Sequence, residues 1–336
     1  MPSTPPPSIA ARVAITLNAV LAAFDDGRPQ VLCVQSGDGG IALPYGPFDP
    51  ERHRTFEIGM REWVTRQTSL SLGYIEQLYT FGDKGREAPA AALSEAANDE
   101  RIVSVGYLAL APEPAPVSAS GAGWRNWYSF FPWEDWRADE PAVLREHILP
   151  SLSEWVDRTR DPQTSDRRRT RISTAFGLDD GEWDEARTLE RYELMYEAGL
   201  VVEAWRDRRA AALDLPKTKE PSGFETGAPM LSDHRRILAT AVGRLRGKLR
   251  YRPVIFEMTQ REFTLLELQK MIEAIVGFEF HKQNFRRSVE KSGFVERTGE
   301  TTQQAGGRPA ALFRVNRDGL RERAAAGLAL PRLRRD

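Results

Sequence analysis

The chain has 336 residues, 41% hydrophobic and 28% charged, which is the balance of a globular protein with room for two or three domains. No apolar run reaches the roughly 18 to 20 residues of a membrane span, so no membrane partner is expected. One cysteine, Cys33, cannot form an internal disulfide, and four scattered histidines offer no zinc spacing, which predicts a reducing cytoplasm and no metal.

Residues 1–10 form a Pro/Ser leader expected to be disordered. Val13 to Phe24 and Gln30 to Val34 then read as two strands of a hairpin around Asp25-Asp26-Gly27, since a signal peptide lacks that acidic turn and returning strand. Thr55 to Thr68 is helix-like and Ile102 to Leu110 strand-like, so residues 11–136 read as an α/β unit interrupted by an Ala-rich loop or short helix at 88–98. The aromatic cluster Trp124, Trp127, Tyr128, Phe130, Phe131, Trp133 and Trp136 reads as core and inter-domain packing. Residues 137–230 read as a helical insertion and linker: Pro141 to Arg158 and Glu182 to Arg209 carry apolar residues at helical spacing, and Pro216 to Pro229 has linker composition.

Residues 231–320 change character. From residue 231 onward there are 22 Lys and Arg against 12 Asp and Glu, whereas the preceding residues carry 25 against 36. Only the C-terminal part is therefore expected to meet a polyanion. A first helix is predicted from Ser232, as its cap, to about Arg250. A second begins at the capping box Thr264/Glu267, with Phe263 as staple, and ends at Gly277. A third, from about Lys282 to Ser292, turns Phe285 and Val289 inward. Two strands, Phe294 to Arg297 and Ala311 to Val315, flank a Gly-rich tip, and residues 321–336 are a basic tail. Helix, turn, basic helix and hairpin is the order of a winged helix-turn-helix.

That pattern supplies the two things DNA recognition needs, cations for phosphates and forked donors for base edges. The candidate DNA-binding residues are Lys282, Gln283, Asn284, Arg286, Arg287 and Lys291 on the third helix, Arg308 at the wing tip, and Lys248 with Arg244, Arg246 and Arg250 at the end of the first. The alternative role of this last group is to complement the helix dipole. One winged helix buries little base surface, so a homodimer on a palindromic operator is expected.

The runs RLRGKLRY (244–251), FTLLELQ (263–269) and NFRR (284–287), with the tip Gly307-Arg308-Pro309, resemble the C-terminal domain of the Nudix-related regulators of NAD metabolism, the NrtR family. Tyr74 to Gly82, Arg101 to Leu110 and Ser232-Asp233-His234 resemble that family's sensor core and junction. The resemblance covers residues 13–110 and 231–316, and residues 137–225 fit it less well. It implies a Nudix-like α/β sensor, here with a helical insertion, followed by a winged helix-turn-helix (α+β). The implied function is transcription regulation, as a repressor of NAD-metabolism genes that binds double-stranded DNA and senses ADP-ribose or a related nucleotide.

Active Nudix hydrolases carry glutamates that bind a divalent metal and activate water. Aligning Leu43 to Gly46 and Arg61-Glu62 with that pattern puts His53 at the first glutamate and Thr65 and Arg66 at the metal-binding pair. No catalytic residue, metal or cofactor is therefore expected; the alternative is a working pyrophosphohydrolase with a nucleic-acid-binding appendage. A third possibility is a constitutive DNA-binding protein without ligand response. The effector candidates are Arg61, Arg66, Lys84 and Arg86 for a pyrophosphate, and Phe48 or Tyr79 for stacking on a base.

Overall fold

The computed structural model describes residues 13–37, 39–83, 85–86, 101–117, 119–179, 181–221, 224–250, 253–302 and 309–322. The predicted leader, the Ala-rich stretch and the tail beyond residue 322 lie outside the described residues. The N-terminal strands are β1 (Val13–Asp25), β2 (Arg28–Gln35), β3 (Ile41–Ala42), β4 (Tyr45–Pro47), β5 (Ile75–Phe81), β6 (Arg101–Leu110) and β7 (Ala122–Asn126). They form one mixed sheet in the order β3-β2-β1-β6-β5, with β4 on β1 and β7 on β2; only β1 and β6 run parallel. The β1–β2 hairpin turns where expected, at Asp26 and Gly27, both with positive φ (43° and 71°). Consecutive left-handed residues match the twist of the flanking strands, and Gly is the least strained choice there.

Helix α1 (Phe56–Thr68) covers one face of the sheet, capped by Thr55, whose side chain accepts from the Ile58 amide. Met60 and Val64 pack with Leu17, Ala19, Val105 and Tyr107 on that side. The opposite face belongs to α6 (His234–Leu249), which lies across β1, β5 and β6. The approach is close: a Cβ added at Gly106 on β6 would sit 3.0 Å from the Ile237 side chain. This revises the sequence-based assignment, which put the helix from Ser232 with the DNA-binding part. Its apolar stripe Ile237, Leu238, Ala241, Val242 and Leu245 is buried in the large core that includes this face of the sheet, so it is a layer of the α/β domain. Ser232 is not its cap; the residue is left-handed and its hydroxyl donates to the Arg86 carbonyl.

The stretch expected to be an insertion holds α2 (Leu149–Asp157), entered through a π-helical stretch at Leu144–Ile148, then α3 (Pro162–Phe176), α4 (Thr188–Ala198) and α5 (Val202–Ala210). The periodic run predicted from Glu182 to Arg209 is therefore two helices, broken after Gly199. The aromatic cluster does pack as core: Trp127, Phe130, Phe131 and Trp133 are buried with Trp183 and Tyr192. The end of the predicted linker is not a free tether. Ala228 and Met230 are buried, and the Thr226 hydroxyl donates to the Leu200 carbonyl.

The C-terminal unit comprises β8 (Phe263–Thr264), α7 (Leu265–Val276), α8 (Lys282–Ser292), β9 (Val295–Thr301), β10 (Ala311–Val315) and the short α9 (Arg317–Glu322), with strand order β8-β10-β9. The Thr264/Glu267 capping box is formed reciprocally, as expected, and Gly277 closes α7. This helix packs on β2, and one apolar core runs from the sheet through the inserted helices into the winged helix.

Candidate nucleic-acid interface and effector site

Helix α8 is anchored by two side chains, Phe285 and Val289, both buried. Phe285 stacks on Phe280 with ring centroids 5.8 Å apart and planes within 4°. Everything else expected of a recognition helix points outward: Lys282, Gln283, Asn284, Arg286, Arg287 and Lys291 are all exposed. Arg286 lies 3.6 Å from Glu290, an exposed i,i+4 pair that contributes little and exchanges readily for a phosphate. Lys282, Arg287 and Lys291 form no ion pair among the described residues. Arg297 and Arg314 on the wing strands add exposed cations, held near Glu290 and Glu296. The sequence pattern did not single them out, because a strand charge looks alike on either face. Arg308 lies outside the described residues.

Lys248 is removed from this surface. It is buried on α6 and paired with Glu76 on β5, with the Tyr74 hydroxyl beside it. Burial pushes the Glu76 carboxyl up, but hydrogen bonds from Lys248 and Tyr74 outweigh it and hold the group below its usual range. Arg246 is likewise fully buried, bound to the Glu134 carboxylate, and Arg250 pairs with Glu185. Of the basic run at the end of α6, only Arg244 is exposed.

The predicted effector residues do not converge. Phe48 packs edge-on against Phe56 at 4.6 Å on the α1 side of the sheet. Arg61, on the same side, is held by Glu57 at 2.9 Å and by the carbonyls of Leu72 and Gly73. Arg66 pairs with Glu62 and lies 4.6 Å from the Trp63 ring centre. Arg86 is on the other side, buried 3.6 Å over the Tyr196 ring, 3.0 Å from Glu193 and 3.5 Å from Asp233. Its Nη2 atom is buried without a hydrogen-bond partner. Tyr79 is exposed and leans on Phe81, which belongs to the α6-side core. The sheet thus separates Phe48, Arg61 and Arg66 from Arg86, and one ligand cannot touch both groups in this arrangement. Lys84 lies outside the described residues.

The residues at the Nudix metal positions do not fit a hard cation. The Thr65 hydroxyl donates to the Leu70 carbonyl, and Arg66 brings a positive charge. His53 is buried with its Nδ1 accepting from the Asp49 amide. The glutamates that α1 does carry, Glu57 and Glu62, are engaged by Arg61 and by Arg52, His53 and Arg66. Among the described residues no group of three His, Cys, Asp or Glu side chains is placed to hold a metal.

The junction Ser232-Asp233-His234 is built into the α/β domain. His234 Nδ1 accepts from the Leu43 amide at 3.0 Å and its ring meets Tyr45 edge-on. Burial, aided by Arg206, pushes its pKa down to about 3, so the ring is neutral. Burial raises the neighbouring Asp233 carboxyl to about 6, against the pull of Arg86 and Arg236.

Comparison with known proteins agrees with this architecture. Residues 255–315 match the family model of the NrtR DNA-binding winged helix domain. A curated relative, the "ADPR responsive transcriptional repressor NtrR" of Acinetobacter baylyi, is 42% identical over 82 residues, 24% of this chain and 32% of that protein. The match therefore spans about a third of that relative's length. The crystal structure of Shewanella oneidensis NrtR is 20% identical with a TM-score of 0.53, covering 95% of this chain and 99% of that one. The same protein crystallised with a 27mer DNA gives 21% identity, the same coverages and a TM-score of 0.50. The fold is thus a Nudix-like α/β domain with a C-terminal winged helix.

Proposed function

We propose that this chain is a DNA-binding transcription regulator, a repressor, that reads duplex DNA with α8 and responds to a nucleotide through its Nudix-like domain. The observation that carries it is α8 itself: six polar or cationic side chains exposed over three turns, on a helix fixed by Phe285 and Val289. Asn284, Arg286 and Arg287 have the forked donors that read adenine and guanine edges, and Lys282 and Lys291 suit phosphates. The A. baylyi relative, by name an ADPR-responsive transcriptional repressor, favours ADP-ribose or a similar nucleotide as effector; repression of NAD-metabolism genes is what the resemblance to the NrtR family implies. A homodimer on a palindromic operator follows from the small base surface of one winged helix. We place the sensor at residues 13–136 with α6, the insertion at 137–230, and the winged helix from about 255.

We read the Nudix-like domain as catalytically degenerate, because Thr65 and Arg66 supply no carboxylate for a metal. The experiment measures DNA affinity with and without ADP-ribose, and ADP-ribose affinity with and without DNA. Linkage requires one factor in both directions, roughly 5- to 150-fold for a coupling of about 1 to 3 kcal/mol. ADP-ribose affinity that is the same with and without DNA would leave a constitutive DNA-binding protein.

A further inference from the structure

Helix α3 of the inserted region is unusual in what it leaves uncovered. Its buried residues, Ile172, Ala175 and Phe176, all lie in its C-terminal part, so the stretch from Pro162 to Arg171 has no buried side chain. A helix that is polar all round needs pairing along its surface or a partner outside it. This one is started firmly: Asp161 accepts from the Thr164 amide, and Pro162 occupies the first turn. Arg168 braces it, lying 3.9 Å over the Trp155 ring and donating to the Trp155 carbonyl at 2.8 Å. The projecting part is strongly basic, with six arginines and two aspartates between residues 158 and 171.

Three of these arginines have exposed carboxylate partners: Arg158 with Glu154, Arg169 with Asp166 at 3.6 Å, and Arg171 with Glu197. Such pairs contribute little, so a phosphate can take the place of the carboxylate. Arg160 and Arg167 are exposed and form no ion pair among the described residues. Guanidinium groups bind phosphate oxygens bidentately. We propose that α3 is a second nucleic-acid contact of this chain, an arginine-rich arm that binds the phosphate backbone of duplex DNA without reading sequence. The inference rests on the DNA-binding reading and extends it to a surface remote in sequence from the winged helix.

The test is the salt dependence of binding to a 40-base-pair mixed-sequence duplex by the full-length protein, from 50 to 200 mM salt. The variant R160Q/R167Q/R169Q removes three exposed charges without touching the core. Its slope of log affinity against log salt should fall by about 2 to 3 units, since each neutralised phosphate contributes about 0.9. The charge-retaining R160K/R167K/R169K should restore the slope. A parallel variant, K282A/R287A, reports on the winged helix. If it lowers the slope and the α3 variant does not, the arm does not bind DNA and the inference is overturned, whether or not it binds vesicles containing phosphatidylserine. If neither variant alters the slope, the DNA-binding reading has failed with it.

Discussion

Arg246, at the far end of helix α6, donates its Nε hydrogen to the carbonyl of Ile275 in the last turn of α7, 2.8 Å away. Its Nη1 reaches the Glu134 carboxylate, which also binds Arg191 of helix α4 at 2.6 Å, and its Nη2 donates to the Tyr128 hydroxyl. The Tyr128 hydroxyl bonds the next carbonyl back, Ala274, at 2.7 Å. Sheet domain, insertion and winged helix therefore meet at one wholly buried carboxylate. Burial opposes its charge, but two guanidinium groups prevail and hold the Glu134 carboxyl below its usual range.

Replacing Arg246 by Met leaves that carboxylate half-compensated and removes a carbonyl contact to the winged helix. Breaking a buried pair typically costs about 3 to 5 kcal/mol. We expect R246M to lower the urea midpoint sharply, and E134Q/R246M to recover part of the loss. A single variant as stable as the parent would mean the joint is not stabilising.

Along α8, Asn284→Ala and Arg287→Ala should cost about 1 to 3 kcal/mol on a selected operator and relax preference at one base position each. Lys282→Ala should weaken all sequences alike and lower the salt slope by about one unit. Lys248→Ala provides the contrast. It should destabilise the fold through the orphaned Glu76 yet leave the DNA salt slope at the parent's value, and a slope one unit lower would put Lys248 back on the DNA surface.

With ADP-ribose as substrate, magnesium or manganese should confer no turnover on the purified protein, because Thr65 and Arg66 supply no carboxylate to hold the ion. The assay is release of ribose 5-phosphate. Efficient metal-dependent release, abolished by substitutions in residues 46–66, would establish the hydrolase alternative.

Two neighbours should shape the pH dependence in opposite senses. His234, lowered to about 3 by burial, is neutral when folded and charged when unfolded between about pH 3 and 6.5, so it makes stability fall as pH falls through that window. Asp233, raised to about 6, binds a proton more tightly when folded, so its contribution is full below about pH 4 and is lost as pH rises through 6. The two offset each other between about pH 4 and 6. Relative to the parent, His234→Asn should therefore flatten the acid loss, and Asp233→Asn should steepen it. Urea midpoints at half-unit pH intervals decide this, and parallel profiles for all three proteins would contradict it.

The sequence by itself determined the elements whose signals are local. The Asp25-Asp26-Gly27 turn, the Thr264/Glu267 capping box and the Phe285/Val289 spacing all act within a few residues, and each stands where its chemistry placed it. Tertiary structure alone decided where α6 packs and which cations are free. Lys248 meets Glu76 across 172 positions, Arg246 meets Glu134 across 112, and Arg86 meets Glu193 across 107. A basic residue has the same letter in water as in a buried pair, and only the folded chain brings the compensating carboxylate to it. Helix α3 escaped for the complementary reason: ten of its residues bury nothing, so no apolar period marks them, and what fixes the helix is its cap, its last turn and the Arg168–Trp155 contact.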